Sequence, residues 1–124
     1  MTVRLSLVDV IEIHARVCPE RLELVRQDVL ESALGEPFAT WDGIDLYPTV
    51  IEKAARLLYG ITRAQAFLSG NKRTAWVAFV TMLCSNGLEV RHLEAMDLAD
   101  AIADIGEREE DRTALVGWCI SLVV

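Results

Sequence analysis

The stretch Ala75-Trp76-Val77-Ala78-Phe79-Val80-Thr81-Met82-Leu83 carries one hydroxyl and otherwise only apolar side chains. It is far too short to span a bilayer, which takes about 20 apolar residues in a helix. It shows no alternation of polar and apolar positions, so it does not read as a half-buried strand. Its flanks have helix-end chemistry: Asn71 stands at its start and Asn86-Gly87 at its close, glycine being suited to the left-handed residue after a helix. A helix without a polar stripe must be packed on several sides. The chain is therefore expected to be an all-α bundle wrapped around a central buried helix at about 71–86.

The other segments supply the wrapping helices. Ser6 followed by Asp9 predicts the start of a first helix, with Leu7, Val10, Ile11, His14 and Val17 on one face and Pro19 at its end. Asp28 and Glu31 predict a short second helix that stops at Gly35. Glu36 to Leu46 reads as irregular, a flap or a short hairpin, with a turn at Trp41-Asp42-Gly43. A third helix is predicted with Pro48 near its first position and Ile51, Ala55, Leu58, Thr62 and Gln65 along one stripe. Glu52 and Arg56 are spaced for an i,i+4 pair. A fifth helix is predicted over about Leu93–Glu107 and a sixth from about Asp111, carrying Leu115, Trp118, Cys119 and Leu122.

Length and composition narrow the class. The 124 residues suit one domain over 1–124, and more than half are apolar, enough to fill a core. There is no low-complexity run or internal repeat, no signal-peptide pattern and no membrane-spanning run, so a cytoplasmic protein is expected. Cys18, Cys84 and Cys119 lack metal-ligand spacing, and His14 and His92 add no cluster. Three reduced thiols in the core are the simplest reading. His14 fits a satisfied histidine at the core edge.

A net charge of −7 argues against a direct nucleic-acid-binding face. The distribution says more: residues 1–60 carry −4, residues 93–124 carry −6, and residues 61–92 carry +3. The positive stretch surrounds Lys72 and Arg73. The acidic row Asp97, Asp100, Asp104 and Glu107 fits a solvated face, with some suitability for a basic partner.

Lys72 and Arg73 would lie in the first turn of the central helix. That is the unfavourable end for cations, at roughly 0.3–1 kcal/mol each in an exposed helix. Unpaired amide N–H groups also point outward there. A glycine-containing loop, free N–H groups and two cations converging on one point can bind phosphate. The competing reading is a surface turn followed by two solvated bases. A Walker loop is excluded, because its G-x-x-x-x-G-K-[ST] pattern and preceding strand are both absent.

The segment Gln65-Ala66-Phe67-Leu68-Ser69-Gly70-Asn71-Lys72-Arg73-Thr74 resembles the Fic/Doc family, most closely its death-on-curing (Doc) toxin branch, whose pattern is H-x-F-x-D-[AG]-N-K-R-T. Arg26–Ala33 and Asp45–Tyr59 resemble the lead-in of that branch, and Ala75–Gly87 its long core helix. The resemblance covers roughly residues 5 to 120. It implies a toxin of a toxin–antitoxin module that transfers phosphate, or in Fic relatives AMP, from ATP or another nucleoside triphosphate with Mg²⁺ to a hydroxyl of a translation protein. In the Doc branch that protein is elongation factor Tu, and a small antitoxin is the neutralising partner. By position, Gly70 and Asn71 would cradle phosphate oxygens, Lys72 and Arg73 would neutralise them, and Phe67 would anchor the loop. Thr40 to Leu46, with Trp41, Asp42 and Gly43 at its centre, would be the target flap.

Two positions depart from the family pattern. Its general-base histidine is Gln65 here, and its metal-binding acid is Ser69. Glutamine cannot take a proton at neutral pH, although it can orient a nucleophile. A serine hydroxyl is a weaker ligand for a hard divalent ion than a carboxylate. The expectation is an intact phosphate cradle with impaired proton and metal chemistry: either a slowed toxin, or a degenerate domain that binds nucleotide or protein. A changed donor, with Gln65 orienting the acceptor, is a third reading.

Overall fold

The computed structural model describes residues 2–19, 23–91 and 112–124. The described helices are α1 (Leu7–Val17), α2 (Gln27–Gly35), α3 (Val50–Ala64), α4 (Asn71–Ser85) and α5 (Arg112–Leu122). A 3-10 turn (Glu36–Phe38) and a two-stranded hairpin, β1 (Thr40–Trp41) with β2 (Ile44–Asp45), lie between α2 and α3. The helix expected over 93–107, with its acidic row, lies outside the described residues.

The central helix forms as expected. Thr74, Ala75, Ala78, Phe79, Met82 and Leu83 of α4 are fully or almost fully buried. Its end is a Schellman motif: Gly87 N–H donates to Cys84 O (3.1 Å) and Leu88 N–H to Leu83 O (3.0 Å), with Gly87 at φ +83°. α3 shares the centre. It packs against α4, α2, the 3-10 turn and α5, and buries Ala54, Ala55, Leu57, Leu58, Tyr59, Ile61 and Ala64. Against α4's other side, Trp76 meets Trp118 of α5 with ring centroids 6.2 Å apart. The C-terminal strand-like end is held by an isolated bridge between Val90 and Val123.

The start of α1 follows the sequence closely. Ser6 Oγ accepts from Asp9 N–H (3.1 Å) and Asp9 Oδ2 accepts from Ser6 N–H (2.8 Å), a reciprocal capping box. Other boundaries shift for identifiable reasons. α3 begins at Val50, not beside Pro48, because Thr49 Oγ1 caps it by accepting from Glu52 N–H (3.1 Å). α2 begins before Asp28: the preceding backbone is held by the loop after α3, with Val25 and Arg26 N–H both donating to Ala66 O (2.8 and 3.1 Å). α2 does end at Gly35 as expected, although this glycine is not a left-handed cap. Its φ is −80°, and the helix tightens into the 3-10 turn, where Pro37 is buried. Arg56 Nη2 lies 3.3 Å from Glu36 Oε1, a tertiary pairing that helical spacing alone does not suggest.

The three thiols are not all in the core. Cys18 and Cys119 are buried, but Cys84, in the last turn of α4, is exposed. Burial pushes the Cys119 thiol up from 9.0 to about 12. The native chain should therefore expose one fast-reacting thiol, Cys84, to Ellman's reagent at pH 8, and three after unfolding. Because folding raises the Cys119 pKa, its contribution to stability is present below pH 9 and is lost as pH rises from 9 toward 12; urea midpoints across that range should fall. Phe79→Ala should cost about 3–5 kcal/mol in urea unfolding, whereas Cys84→Ala should stay within about 0.5 kcal/mol of the parent.

Candidate functional site

The turn between α3 and α4 is built from two left-handed residues with a buried aromatic between them. Gln65 caps α3 at φ +51° and ψ +42°, and Gly70 caps the start of α4 at φ +78°. A left-handed backbone at a residue with a side chain costs roughly 1–2 kcal/mol, so the surroundings must impose it. Phe67 is buried and makes an isolated bridge to Leu24. The Asn71 side chain then locks the turn from below: its Oδ1 accepts from Phe67 N–H (3.0 Å) and its Nδ2 donates to Phe67 O (2.9 Å).

α1 clamps the same turn from the side. His14 is buried and its ring stacks on Phe67, centroids 3.7 Å apart and 6° from parallel. His14 Nε2–H donates to Ser69 O (2.8 Å); a carbonyl can only accept, so this nitrogen carries the proton. Cys18 Sγ lies 3.4 Å from Ser69 Oγ. Gly70 is pressed against Cys18 so closely that an added Cβ would stand 2.9 Å from the cysteine Cβ. His14 is thus the satisfied histidine that the sequence suggested, with a partner that the sequence did not reveal.

The residues singled out from sequence are gathered at one end of α4 but do different things. Gly70 supplies no side-chain cap, so amide N–H groups in the first turn of α4 stay available. Lys72 is exposed and, among the described residues, forms no ion pair. Arg73 is exposed, but its Nη1 donates to Val17 O (3.1 Å), the last residue of α1. A cation at that carboxyl end is favourable, which offsets its unfavourable place at the start of α4. The Asn71 side chain is buried and commits one donor and one acceptor to Phe67, so it serves the turn first.

The two departing residues are exposed, and each also makes a polar contact within the chain. Gln65 Nε2 donates to Thr62 O (3.2 Å), capping the end of its own helix and leaving Oε1 as an acceptor. Ser69 offers its carbonyl to His14 and its hydroxyl to Cys18. No carboxylate stands at this position, and among the described residues no group of three or more His, Cys, Asp or Glu could hold a metal ion. The donor set here does not fit a protein-held Mg²⁺.

The flap segment is a hairpin. Asp42 (φ +53°) and Gly43 (φ +77°) are both left-handed, the combination that turns two twisted strands back on each other. Thr40 faces Asp45 and Trp41 faces Ile44 across the ladder. Trp41 is 77% exposed and Ile44 71%, so this cross-strand apolar pair packs on nothing described.

The family model for the Fic/DOC family matches residues 4–83, which takes in the whole turn and the hairpin. The chain belongs to the Fic/DOC family. Over 84 residues it is 39% identical to the "Toxin Doc" of Mycolicibacterium smegmatis, a stretch that is 67% of this chain and 65% of that protein. The chain spans less than two thirds of the length of this relative. No helix among the described residues is long and apolar enough to cross a membrane.

The support residues His14, Cys18 and Val17 were not legible as part of the Fic/DOC turn, since they lie more than 50 positions away and meet it only through packing. Gly70→Ala should lose stability twice over, through its left-handed backbone and through the contact with Cys18. Gly87→Ala, at a similar φ but with nothing within 4 Å, should pay only the backbone cost of about 1 kcal/mol. Urea denaturation of the two variants should therefore rank Gly70→Ala as clearly the less stable.

Proposed function

We propose that this chain is a Doc-like toxin of a toxin–antitoxin pair, with transfer chemistry slowed at two positions. It takes the phosphates of ATP or another nucleoside triphosphate at the amino end of α4. It passes phosphate or nucleotide to a hydroxyl of a translation protein, elongation factor Tu by family resemblance. A cognate antitoxin is its neutralising partner. The observation that carries the reading is the uncapped first turn of α4 behind left-handed Gly70, with exposed Lys72 beside it.

In such a transfer the acceptor oxygen bonds to the phosphorus, the bond from phosphorus to the leaving oxygen (of the nucleoside diphosphate in phosphate transfer, of pyrophosphate in nucleotide transfer) breaks, and the acceptor proton passes to water. Backbone N–H groups at the start of α4 and the Lys72 ammonium would stabilise charge on the phosphate oxygens. Arg73 reaches the same end of the helix from its anchorage on α1. Gln65 Oε1 can accept a hydrogen bond from the acceptor hydroxyl and orient it, but cannot remove the proton. Without a general base the rate falls by about 10²–10⁴-fold. A divalent ion, where one takes part, would come with the nucleotide and not from a carboxylate at position 69.

A second reading has its own support. Gln65 Nε2 and Ser69 Oγ are both engaged within the chain, as expected of a degenerate domain that binds nucleotide or protein without transfer.

Isothermal titration with a non-hydrolysable ATP analogue should show binding by the parent chain and several-fold weaker binding by Lys72→Ala; no binding by the parent overturns the toxin reading and leaves the degenerate domain only as a protein-binding module. Expression in bacteria separates them. Slowed growth with the parent chain supports the toxin. Normal growth with the parent, together with arrest by Gln65→His combined with Ser69→Asp, supports the degenerate module. In vitro, that double variant should raise transfer by about 10²-fold or more if the missing base is the limitation.

A further inference from the structure

The hairpin has too little of its own to stand up. Its strands are two residues each, all four residues are exposed, and an isolated two-stranded hairpin is at best marginally stable. What fixes it lies at its root, and Lys53 is at the centre of that root. Lys53 is the only buried charged residue of α3, 4% exposed. Its Nζ donates to Asp45 Oδ2 (3.2 Å) at the end of β2 and to Tyr47 O just beyond. It also lies 5.6 Å from the centroid of the Phe38 ring, two residues before β1. One ammonium therefore touches the chain both entering and leaving the hairpin. Leu46 N–H donating to Ala39 O (3.0 Å) closes the stem between these contacts.

The neighbours reinforce the same root. Arg4 lies over the other side of the turn, 4.1 Å from the Phe38 centroid. Arg56, one turn along α3, pairs with Glu36 and lies 5.9 Å from the Tyr47 ring. An ammonium suits this place because three N–H donors on a flexible stem can serve a carboxylate, a carbonyl and a ring face from different directions. An apolar residue would fill the volume but remove the donor that the Tyr47 carbonyl and the Asp45 carboxylate share.

We propose that Lys53 is a positioning residue. It sets the height and tilt of the hairpin on the bundle, and so decides where an extended target segment pairing with the exposed strand would lie. The inference rests on the reading of the hairpin as the target flap. Lys53 does so without touching the nucleotide end, since the rest of α3 carries the chain about 17 Å further before the turn at Gln65 begins.

Amide hydrogen exchange on the full chain tests this, with Lys53→Met as the main variant. The Leu46 amide should exchange about tenfold faster while the Phe79 and Met82 amides of α4 keep their parent protection, as expected for a local opening. Lys53→Arg, which keeps the charge and donors, should restore most of the Leu46 protection. Asp45→Asn, at a half-exposed carboxylate, covers the case in which Lys53→Met does not fold, and should speed Leu46 exchange by a smaller factor, about threefold. Affinity for the ATP analogue should match the parent in every variant. Unchanged hairpin exchange in Lys53→Met and Asp45→Asn overturns the proposal, as does equal acceleration of hairpin and α4 amides or a matching loss of nucleotide affinity. A parent chain that binds no nucleotide overturns only the functional reading, and the exchange data still decide the role of Lys53.

Discussion

The two-way hydrogen bond between the Asn71 amide and the Phe67 backbone holds the candidate site in shape. It satisfies a buried N–H and a buried C=O in a turn where no helix or strand partner can reach them. It also fixes the first residue of α4 relative to the aromatic that anchors the loop. With that turn fixed, His14 can stack on Phe67 and reach Ser69 O, and Cys18 can close against Gly70. Three separate stretches of chain, from α1, the lead-in to α2 and the start of α4, thus converge on residues 65–71.

That arrangement resolves the electrostatic oddity of two cations at a helix amino end. Arg73 is not simply misplaced, because the carboxyl end of α1 faces it and Val17 O accepts its guanidinium. The two helix ends compensate each other across the turn. Lys72 has no such counterpart among the described residues, and it remains the cation free to meet an anion. The phosphate-binding case therefore rests on Lys72 and on backbone N–H groups more than on the Asn71 side chain, which is buried and braces Phe67.

The hairpin and the turn are supported differently. The turn is held by hydrogen bonds inside the core, whereas the hairpin stands on one buried ammonium and two stacked cations at its base. Such a construction leaves Trp41 and Ile44 exposed while keeping their placement defined. The contacts at the hairpin base are separate from those that hold the turn before α4, which is the physical basis for proposing distinct roles for Lys53 and Lys72.

Much of this was written locally in the chain. The apolar run 75–83 determined a buried helix, Ser6 and Asp9 a reciprocal cap, Asp42-Gly43 a tight reversal, and the 65–74 segment its family, because each depends on residues within about one turn of one another. The start of α2 and the partner of Arg56 were not written there, since each is set by a contact distant in sequence. The same holds at the candidate site. The identity of Gln65 and Ser69 announces altered chemistry, but only the packed structure decides that their polar groups turn to Thr62 and Cys18, that Asn71 serves Phe67, and that Arg73 serves α1. Local sequence dictates backbone shape and the inventory of groups; which of those groups remain free for a ligand also depends, at Ser69 and Arg73, on neighbours more than 50 residues away, brought there by burial of the core.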